Sequence, residues 1–222
     1  MSIGVCLISG GMDSCVCAAW ALWQGFEPAF LHVNYRHLTE KRELRAFQDI
    51  ADHYAVERRL VVDISHLQQI GGSALTDRRI QVPEGELGQP GIPVSYVPFR
   101  NGNLLAIAAS WAEVLSASHI VIGAVEEDSS GYPDCREVFF RAFSQAIETG
   151  TRPETRIEIA APLLHLRKKE IVELGMRLGA PFELTWSCYQ LEDKACGRCE
   201  SCLLRLKGFA EASVKDPISY VE

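Results

Sequence analysis

Short apolar runs typical of buried strands alternate with longer stretches typical of helices, and this rhythm limits the fold more than any other feature. Strands separated by helices pair in parallel, because a parallel pair needs a long crossover connection. The pattern predicts strands at residues 3–8, 29–33, 60–62, 119–124 and 156–160. It predicts helices at residues 13–23, 39–54, 103–116, 137–148 and 167–178. We therefore expect an α/β fold built on a doubly wound, five-stranded parallel sheet.

The chain departs from this rhythm in two places. Residues 65–96 are rich in glycine and proline near their end, which predicts a long irregular connection of the kind that often carries function. Residues 182–222 contain four cysteines, a short helix starting near Glu200 and a tail. A chain of 222 residues has room for one large domain and a small appendage. We expect residues 1–181 to form the α/β domain and residues 182–222 a small zinc-binding helical region.

Composition narrows the class of protein. The net charge of −7 argues against a broad nucleic-acid surface, because such surfaces normally carry a basic excess. No run approaches the roughly 20 apolar residues that a membrane-spanning helix needs. Residues 1–9 lack the basic segment of a secretory signal. We expect a cytoplasmic protein without a membrane or nucleic-acid partner, in which the eight cysteines are thiols or metal ligands.

The first predicted strand passes into the first predicted helix through the residues Ser9-Gly10-Gly11-Met12-Asp13-Ser14. A helix start offers unpaired N–H groups and a partial positive charge, and glycines let the backbone approach an anion closely. Ser9 and Ser14 add hydroxyl donors, and Asp13 suits a site where Mg²⁺ stands between its carboxylate and a phosphate. The same residues also suit a plain tight turn that caps a helix.

Four cysteines near the end of the chain are spaced as metal ligands, namely Cys188, Cys196, Cys199 and Cys202. Four thiolates this close in sequence can surround Zn²⁺ tetrahedrally at about 2.3 Å, and Gly197 permits the turn between them. With four protein ligands no position is left for a catalytic water. We expect a structural zinc site that stabilises a region too small to build its own core. A redox dithiol or an iron–sulfur cluster is the alternative.

Two further loops carry side chains suited to a small polar ligand. One holds Phe99, Arg100 and Asn101, and the other, after the fourth predicted strand, holds Tyr132, Asp134, Cys135 and Arg136. Loops that follow the strands of an open α/β sheet are where ligands bind. Arginine suits a carboxylate or phosphate, aspartate suits the amino-imino edge of a guanine-like base, and an aromatic ring can stack on it. Such groups also commonly serve only to pack a loop.

These blocks resemble those of one family. The SGGMDS loop resembles the SGGxDS signature of the PP-loop ATP pyrophosphatases, which split ATP between its α- and β-phosphates. With VPFRN at 97–101, GYPDCR at 131–136, LTWSCY at 184–189 and CGRCESC at 196–202, the chain is similar to the 7-cyano-7-deazaguanine (preQ0) synthase family of queuosine biosynthesis. Residues 34–37 read NYRH where that family commonly has a Tyr-Gly-Gln-Arg-like sequence, so no family role is carried over to residues 35–37.

The resemblance implies an adenine nucleotide alpha hydrolase-like fold and an ATP-dependent C–N ligase. In that family, 7-carboxy-7-deazaguanine is adenylated by ATP, captured by ammonia as an amide, and activated again to lose water as a nitrile. The resemblance implies ATP and Mg²⁺ at residues 9–14, catalysis by Asp13, Ser14 and Arg100, Zn²⁺ on the four clustered cysteines, and a homodimer. It implies substrate binding by Phe99, Arg100, Asn101, Tyr132, Asp134 and Arg136. One of the two arginines is expected on the reacting group and the other on a phosphate or the loop backbone.

Two other functions fit parts of the sequence. Thiolation of tRNA on the same fold predicts a basic face and an exposed pair of catalytic cysteines. A non-catalytic nucleotide-binding or zinc module predicts ATP binding without pyrophosphate release. A relative that joins the deazaguanine to a different acceptor also fits.

Overall fold

A computed structural model describes residues 2–84, 91–126 and 131–221. Its strands are β1 (Ile3–Leu7), β2 (Glu27–Asn34), β3 (Arg59–Asp63), β4 (His119–Ile122) and β5 (Glu158–Ala160). They form one sheet in the order β3-β2-β1-β4-β5, and all neighbours are parallel. The predicted five-stranded parallel sheet is confirmed. The fourth strand ends two residues before its predicted end, because residues 123–125 turn away to line a cavity.

The helices are α1 (Met12–Trp23), α2 (Glu40–His53), α3 (His66–Ile70), α4 (Arg100–Leu115), α5 (Glu137–Gly150), α6 (Lys168–Leu178) and α7 (Glu200–Glu211). Short 3₁₀ turns cover Pro133–Cys135 and Phe182–Leu184. The prediction missed α3, which lies inside the connection expected to be irregular throughout. Residues 85–90 of that connection and residues 127–130 lie outside the described residues. Within the described ranges, no helix is both long and apolar enough to cross a membrane.

The start of α4 differs from its prediction at residue 103. The helix begins at Arg100 because Asp134, distant in sequence, supplies its cap: Oδ2 of Asp134 accepts the N–H of Asn101 at 2.8 Å. The Asn101 side chain donates in return to the Asp134 carbonyl at 2.9 Å. A helix start set by a tertiary contact leaves no local signal in the sequence.

Helices cover both faces of the sheet, as a doubly wound fold requires. Side chains of β1 and of the residue after it alternate between the faces: Val5 and Leu7 pack with α4 and α5, whereas Cys6 and Ile8 pack with α1, α2 and α6. The sulfur of Cys6 has no exposed surface, and burial raises the pKa of its thiol to about 12. Cys6 is therefore a small buried hydrophobic residue and one of the thiols expected among the eight cysteines.

The C-terminal residues pack tightly on the α/β layer. Helix α7 lies against α6, and Phe209 joins the core on the α1 side of the sheet. The end of the chain lies beside the cysteine-containing segment, because Ala195 and Tyr220 form a β-bridge. The four clustered cysteines form a separate small core together with Ala46 and Trp186. This arrangement brings the predicted metal-binding region beside the carboxyl edge of the sheet.

Candidate active site

A cavity of about 270 Å³ opens at the carboxyl ends of β1, β2 and β4. The strand order reverses at β1, and such a switch point is where open α/β sheets bind ligands. A Cβ at Gly123 would lie 3.0 Å from the backbone of Asp13 and Ser14, so the chain after β4 passes close to the start of α1. The cavity is also lined by Trp186, Ser187 and Tyr189 from the C-terminal region.

The predicted phosphate loop, residues 9–14, forms one wall of this cavity. Five of its residues line it: Ser9, Gly11, Met12, Asp13 and Ser14. Oγ of Ser9 accepts the Gly11 N–H at 3.1 Å and lies 3.1 Å from Oγ of Ser14, which donates to the Gly11 carbonyl at 2.9 Å. Gly10 lies behind this wall with a φ of +93°. The loop holds its own shape and directs the start of α1 towards the cavity.

Asp13 has one engaged and one unengaged carboxylate oxygen. Lys168 donates to Oδ2 of Asp13, with Nζ at 2.6 Å. Oδ1 is buried and has no hydrogen-bond partner among the described residues. A buried carboxylate oxygen without a partner is costly unless a ligand completes it, and oxygen is the ligand atom that Mg²⁺ prefers. The residues present therefore fit a divalent cation between Asp13 and a phosphate.

A second group of polar side chains lies together at the same cavity: Tyr35, His37, Glu43 and Arg100. The ring of Tyr35 stacks on His37 at 4.4 Å and its hydroxyl accepts from Arg100 at 3.4 Å. Nε2 of His37 lies 3.1 Å from Oε2 of Glu43. Burial alone would raise the pKa of Glu43, but His37, His32 and Arg100 lower it below its ordinary value. On this side, across from Asp13, the cavity therefore presents the Glu43 carboxylate and the Arg100 guanidinium.

Three of the six predicted substrate residues line the cavity, namely Arg100, Asn101 and Tyr132. The hydroxyl of Tyr132 donates to Oγ of Ser95 at 2.9 Å. Cys135 lines the cavity as well, and the Asn101 amide donates to its sulfur at 3.2 Å. Burial raises the pKa of Cys135 to about 11, so it is a neutral thiol at pH 7 and offers no thiolate nucleophile.

The other three, Phe99, Asp134 and Arg136, are outside the cavity lining. Phe99 is 55% exposed and meets Phe139 edge to face. Asp134 is buried under the start of α4, where it holds Asn101. Nε of Arg136 donates to the carbonyl of Pro133 in its own loop at 3.0 Å. Their role in substrate binding stays a prediction.

The four clustered cysteines come together in space. Their sulfur atoms all lie within 4.8 Å of one another, and those of Cys196 and Cys202 are 3.9 Å apart. Sulfurs bound tetrahedrally to zinc at 2.3 Å would be separated by about 3.8 Å. Backbone N–H groups donate to the sulfurs, including those of Leu191 to Cys188 at 3.3 Å and Cys199 to Cys196 at 3.2 Å. These contacts stabilise thiolates and fit a closed metal site.

Residues 184–189 join this cluster to the phosphate loop. The N–H of Trp186 donates to the Gly10 carbonyl at 2.8 Å. The Arg42 guanidinium lies 4.5 Å from the centre of the Trp186 ring. Oγ1 of Thr39 donates to the Cys188 carbonyl at 3.2 Å. The cysteine cluster therefore adjoins and helps to position part of the cavity wall.

Sequence reasoning assigned no role to several lining residues: Tyr35, Glu43, Lys168, Trp186 and Tyr189. Lys168 follows the fifth strand at the edge of the sheet where ligands bind, so its position carried a usable signal. Glu43 offered none, because it lies on a charged amphipathic helix among residues that face solvent. Trp186 and Tyr189 lie in the LTWSCY block but carry no functional group whose chemistry indicated a role.

Known proteins resemble the chain over nearly its full length. The family model described as queuosine biosynthesis protein QueC matches residues 3–213. A 7-cyano-7-deazaguanine synthase from Chlorobaculum parvum is 56% identical over 216 residues, covering 97% of this chain and 95% of the relative. One from Nautilia profundicola is 52% identical over 220 residues, covering 99% of each chain.

A solved structure shares the fold at much lower sequence identity. It is a 4-thiouridine synthetase–RNA complex with bound ATP, which matches with a TM-score of 0.56 and 21% identity, over 99% of this chain and 47% of that one. The range matched by the family model includes the phosphate loop, the residues that line the cavity and the four clustered cysteines. The chain therefore belongs to the QueC family of queuosine biosynthesis proteins.

Proposed function

We propose that the protein is an ATP-dependent ligase that converts 7-carboxy-7-deazaguanine and ammonia into 7-cyano-7-deazaguanine for queuosine biosynthesis. One observation carries the proposal: in a QueC-family chain, the phosphate loop with its Asp13 lines the same cavity as Arg100 and Glu43. The start of a helix suits the phosphates of ATP. The guanidinium suits the carboxylate of the substrate, and the carboxylate suits its guanine-like edge.

The chemistry explains the need for ATP. Ammonia does not displace a carboxylate oxygen, so that oxygen must first become part of a leaving group. The substrate carboxylate attacks the α-phosphorus of ATP, the bond to the bridging oxygen breaks, and pyrophosphate leaves with the electron pair. Ammonia then adds to the acyl carbon, and AMP and a proton leave to give the amide. The amide oxygen then attacks the α-phosphorus of a second ATP, which again releases pyrophosphate, and loss of AMP and the two remaining N–H protons gives the nitrile.

The phosphate loop supplies the nucleotide site in this proposal. The residues that face the departing pyrophosphate are Ser9, Gly11, Met12 and Ser14, and Gly10 behind them gives the loop its shape. Asp13 would hold Mg²⁺, which neutralises phosphate charge when bound. Arg100 steadies the reacting carboxylate, and a single arginine among neutral donors tolerates both the acid and the amide.

Substrate binding is proposed to use the loops around α4 and α5. Arg100, Asn101 and Tyr132 form the contacting wall, supported by their lining of the cavity. We propose that three further residues support substrate binding from outside this wall by holding the same loops, namely Phe99, Asp134 and Arg136. Glu43 is the buried ionised carboxylate available to the amino-imino edge of the base.

We further propose that residues 182–222 form a zinc-binding region on the PP-loop domain of residues 1–181, with Zn²⁺ on the four cysteines. A homodimer is proposed on the family resemblance alone. The cytoplasmic location and the lack of a nucleic-acid partner remain predictions from the sequence. All eight cysteines are buried, which disfavours thiolation by an exposed cysteine pair.

The products distinguish the proposed reaction from its alternatives. The protein is incubated with 7-carboxy-7-deazaguanine, ¹⁵N-ammonium, Mg²⁺ and excess ATP, and products are measured by mass spectrometry. We expect a ¹⁵N-nitrile with two AMP and two pyrophosphate per molecule, and half that count when the reaction starts from the amide. ADP in place of AMP, or a product that stops at the amide, would refute the nitrile synthase proposal. ATP binding without pyrophosphate release would support a non-catalytic module.

A further inference from the structure

A chain of hydrogen bonds links the cavity to the first residue of α7. The hydroxyl of Tyr132, which lines the cavity, donates to Oγ of Ser95 at 2.9 Å. Oγ of Ser95 donates in turn to Oε2 of Glu200 at 3.2 Å. Ser95 is 3% exposed and Tyr132 is 7% exposed, so bulk water has little access to these bonds. The hydroxyl of Ser95 therefore has one acceptor partner and one donor partner, both from distant parts of the chain.

The number of protons in this chain fixes its direction. A carboxylate accepts hydrogen bonds and donates none, and each hydroxyl group has only one proton to donate. Because the proton of Ser95 goes to Glu200, Ser95 accepts from Tyr132, and the proton of Tyr132 is used in that bond. The Tyr132 oxygen is left with lone pairs only. A ligand that bonds to this oxygen must therefore supply the proton.

Further contacts hold both ends of the bond between Tyr132 and Ser95. The backbone carbonyl of Ser95 accepts from Oγ of Ser73 at 3.2 Å. The ring of Tyr132 packs on the ring of Tyr96, with the ring centres 5.5 Å apart. The position of the Tyr132 oxygen is therefore set before a ligand arrives.

Arg100 provides the opposite kind of group on the same wall of the cavity. The backbone and side-chain N–H groups of Asn101 bond to Asp134 at 2.8 and 2.9 Å, which holds the start of α4 against the turn that follows Tyr132. Arg100 and Tyr132 both line the cavity, and a guanidinium only donates hydrogen bonds. This wall therefore offers a donor from Arg100 and an acceptor from Tyr132. An amide matches both, because it has a carbonyl oxygen and an N–H group, whereas a carboxylate has oxygens alone.

We propose that Ser95 is a positioning residue: it makes Tyr132 a hydrogen-bond acceptor for the N–H of the amide intermediate, whose oxygen is held by Arg100. The inference rests on the proposed function. The carboxylate substrate has no proton to give to Tyr132, so this oxygen favours the amide over the acid. That preference keeps the amide in the cavity while AMP leaves and the second ATP binds.

The experiment compares the wild type with Tyr132→Phe, Ser95→Ala, the Ser95→Ala/Tyr132→Phe double variant and Ser73→Ala. Calorimetry gives the Kd of 7-carboxy-7-deazaguanine and of its amide in the presence of Mg²⁺ and α,β-methylene ATP, which cannot be split between its α- and β-phosphates. Tyr132→Phe should weaken the amide about 3–10-fold, as loss of one hydrogen bond does, and change the Kd of the acid less than about twofold.

In Ser95→Ala the Tyr132 proton loses its acceptor and is free to turn to the ligand. The affinity for the amide relative to the acid should therefore fall about as far as in Tyr132→Phe. During turnover from the acid with excess ATP, both variants should release a larger share of product as the amide, measured by mass spectrometry. The double variant should show the Kd ratio of Tyr132→Phe alone, because Ser95 acts only through the Tyr132 hydroxyl.

Ser73→Ala is the matched control. Ser73 is a fully buried serine whose hydroxyl holds the backbone of Ser95 but takes no part in the bonds to Tyr132 and Glu200. Its loss should lower the Tm and leave the ratio of the two Kd values within about twofold of the wild type. A packing role for Ser95 would give Ser95→Ala the same result as Ser73→Ala.

Three results would overturn the role of Ser95. They are an unchanged Kd ratio in Ser95→Ala or Tyr132→Phe, a further fall in the double variant, and a selective weakening of the acid, which would mean that Tyr132 donates to the ligand. Each of these leaves the proposed function intact when the wild type still forms the nitrile. A wild-type protein that forms no AMP from the acid would overturn the proposed function and this inference with it.

Discussion

Gly10 and Gly25 have similar backbone conformations in different surroundings. Their φ angles are +93° and +80°, a region that costs an L-residue roughly 1–2 kcal/mol. A Cβ at Gly10 would lie 2.5 Å from the carbonyl oxygen of Glu43, whereas nothing lies within 4 Å of one at Gly25. Alanine is strained at both positions, but only at Gly10 must the phosphate loop also move.

We expect Gly10→Ala to lower the Tm and to remove most of the affinity for α,β-methylene ATP, because the loop shifts away from Glu43. Gly25→Ala is the control for backbone strain, and should lower the Tm by only about 2–8 °C with the Kd of the analogue unchanged. Thermal unfolding and calorimetry measure both effects. Equal loss of affinity in the two variants would contradict the assignment of the Gly10 contact.

Helix α7 is attached through one buried arginine. Arg205 is 1% exposed, and its Nε and a terminal nitrogen donate to the two oxygens of Asp216 at 2.7 and 2.9 Å. The other terminal nitrogen donates to Oγ1 of Thr185 at 2.7 Å. Tyr220 also donates to Asp216, at 2.7 Å. The ion pair of Arg205 and Asp216, with these hydrogen bonds, therefore links α7 to the segment before the cysteines and to the C-terminal tail.

Arg205→Met should lower the free energy of unfolding by about 3–5 kcal/mol, because Asp216 is left charged and buried without its partner. The Arg205→Met/Asp216→Leu double variant should recover part of that loss. Lys207→Met, a half-exposed position on the same helix, should change it by less than about 0.5 kcal/mol. Denaturant unfolding provides the comparison. A single Arg205→Met variant as stable as Lys207→Met would show that the pair contributes nothing.

The cysteine cluster connects the C-terminal region to the cavity through Trp186, which packs against the cysteines and donates its N–H to the Gly10 carbonyl. We expect about one zinc per chain by elemental analysis, because closed four-thiolate sites in small modules bind zinc with about 10–16 kcal/mol. Chelation should release the C-terminal segment and weaken binding of α,β-methylene ATP. A protein without metal, or one with a disulfide among the four cysteines in reducing buffer, would contradict the zinc site.

Thiol labelling gives the control within the same chain. The four remaining cysteines are buried, and burial raises the pKa of Cys15 to about 12 and that of Cys135 to about 11. They should therefore resist alkylation before and after chelation, whereas the four clustered thiols should become reactive only after it. Mass spectrometry of the alkylated peptides identifies which cysteines react.

Much of this protein could be predicted from its sequence. The five strands and all helices but α3 follow from apolar periodicity, which acts over a few neighbouring residues. The glycines of the phosphate loop and the spacing of the four cysteines are equally local signals. Each of these two signals indicates the kind of site that its residues could form, and neither depends on the rest of the fold.

Tertiary packing decided which side chains meet at the cavity. Lys168 reaches Asp13 only because α6 starts beside α1, and Glu43 enters the cavity wall only because α2 packs behind Gly10. Asp134 and Arg136 lie in the loop that sequence reasoning selected, but contacts with Asn101 and Pro133 engage them outside the cavity lining. The sequence by itself determined most of the elements, the glycine-rich loop of residues 9–14 and the close spacing of the four cysteines, because these signals span short stretches of chain. Only the tertiary structure determined the composition of the cavity wall, because its side chains come from distant segments whose approach is set by core packing.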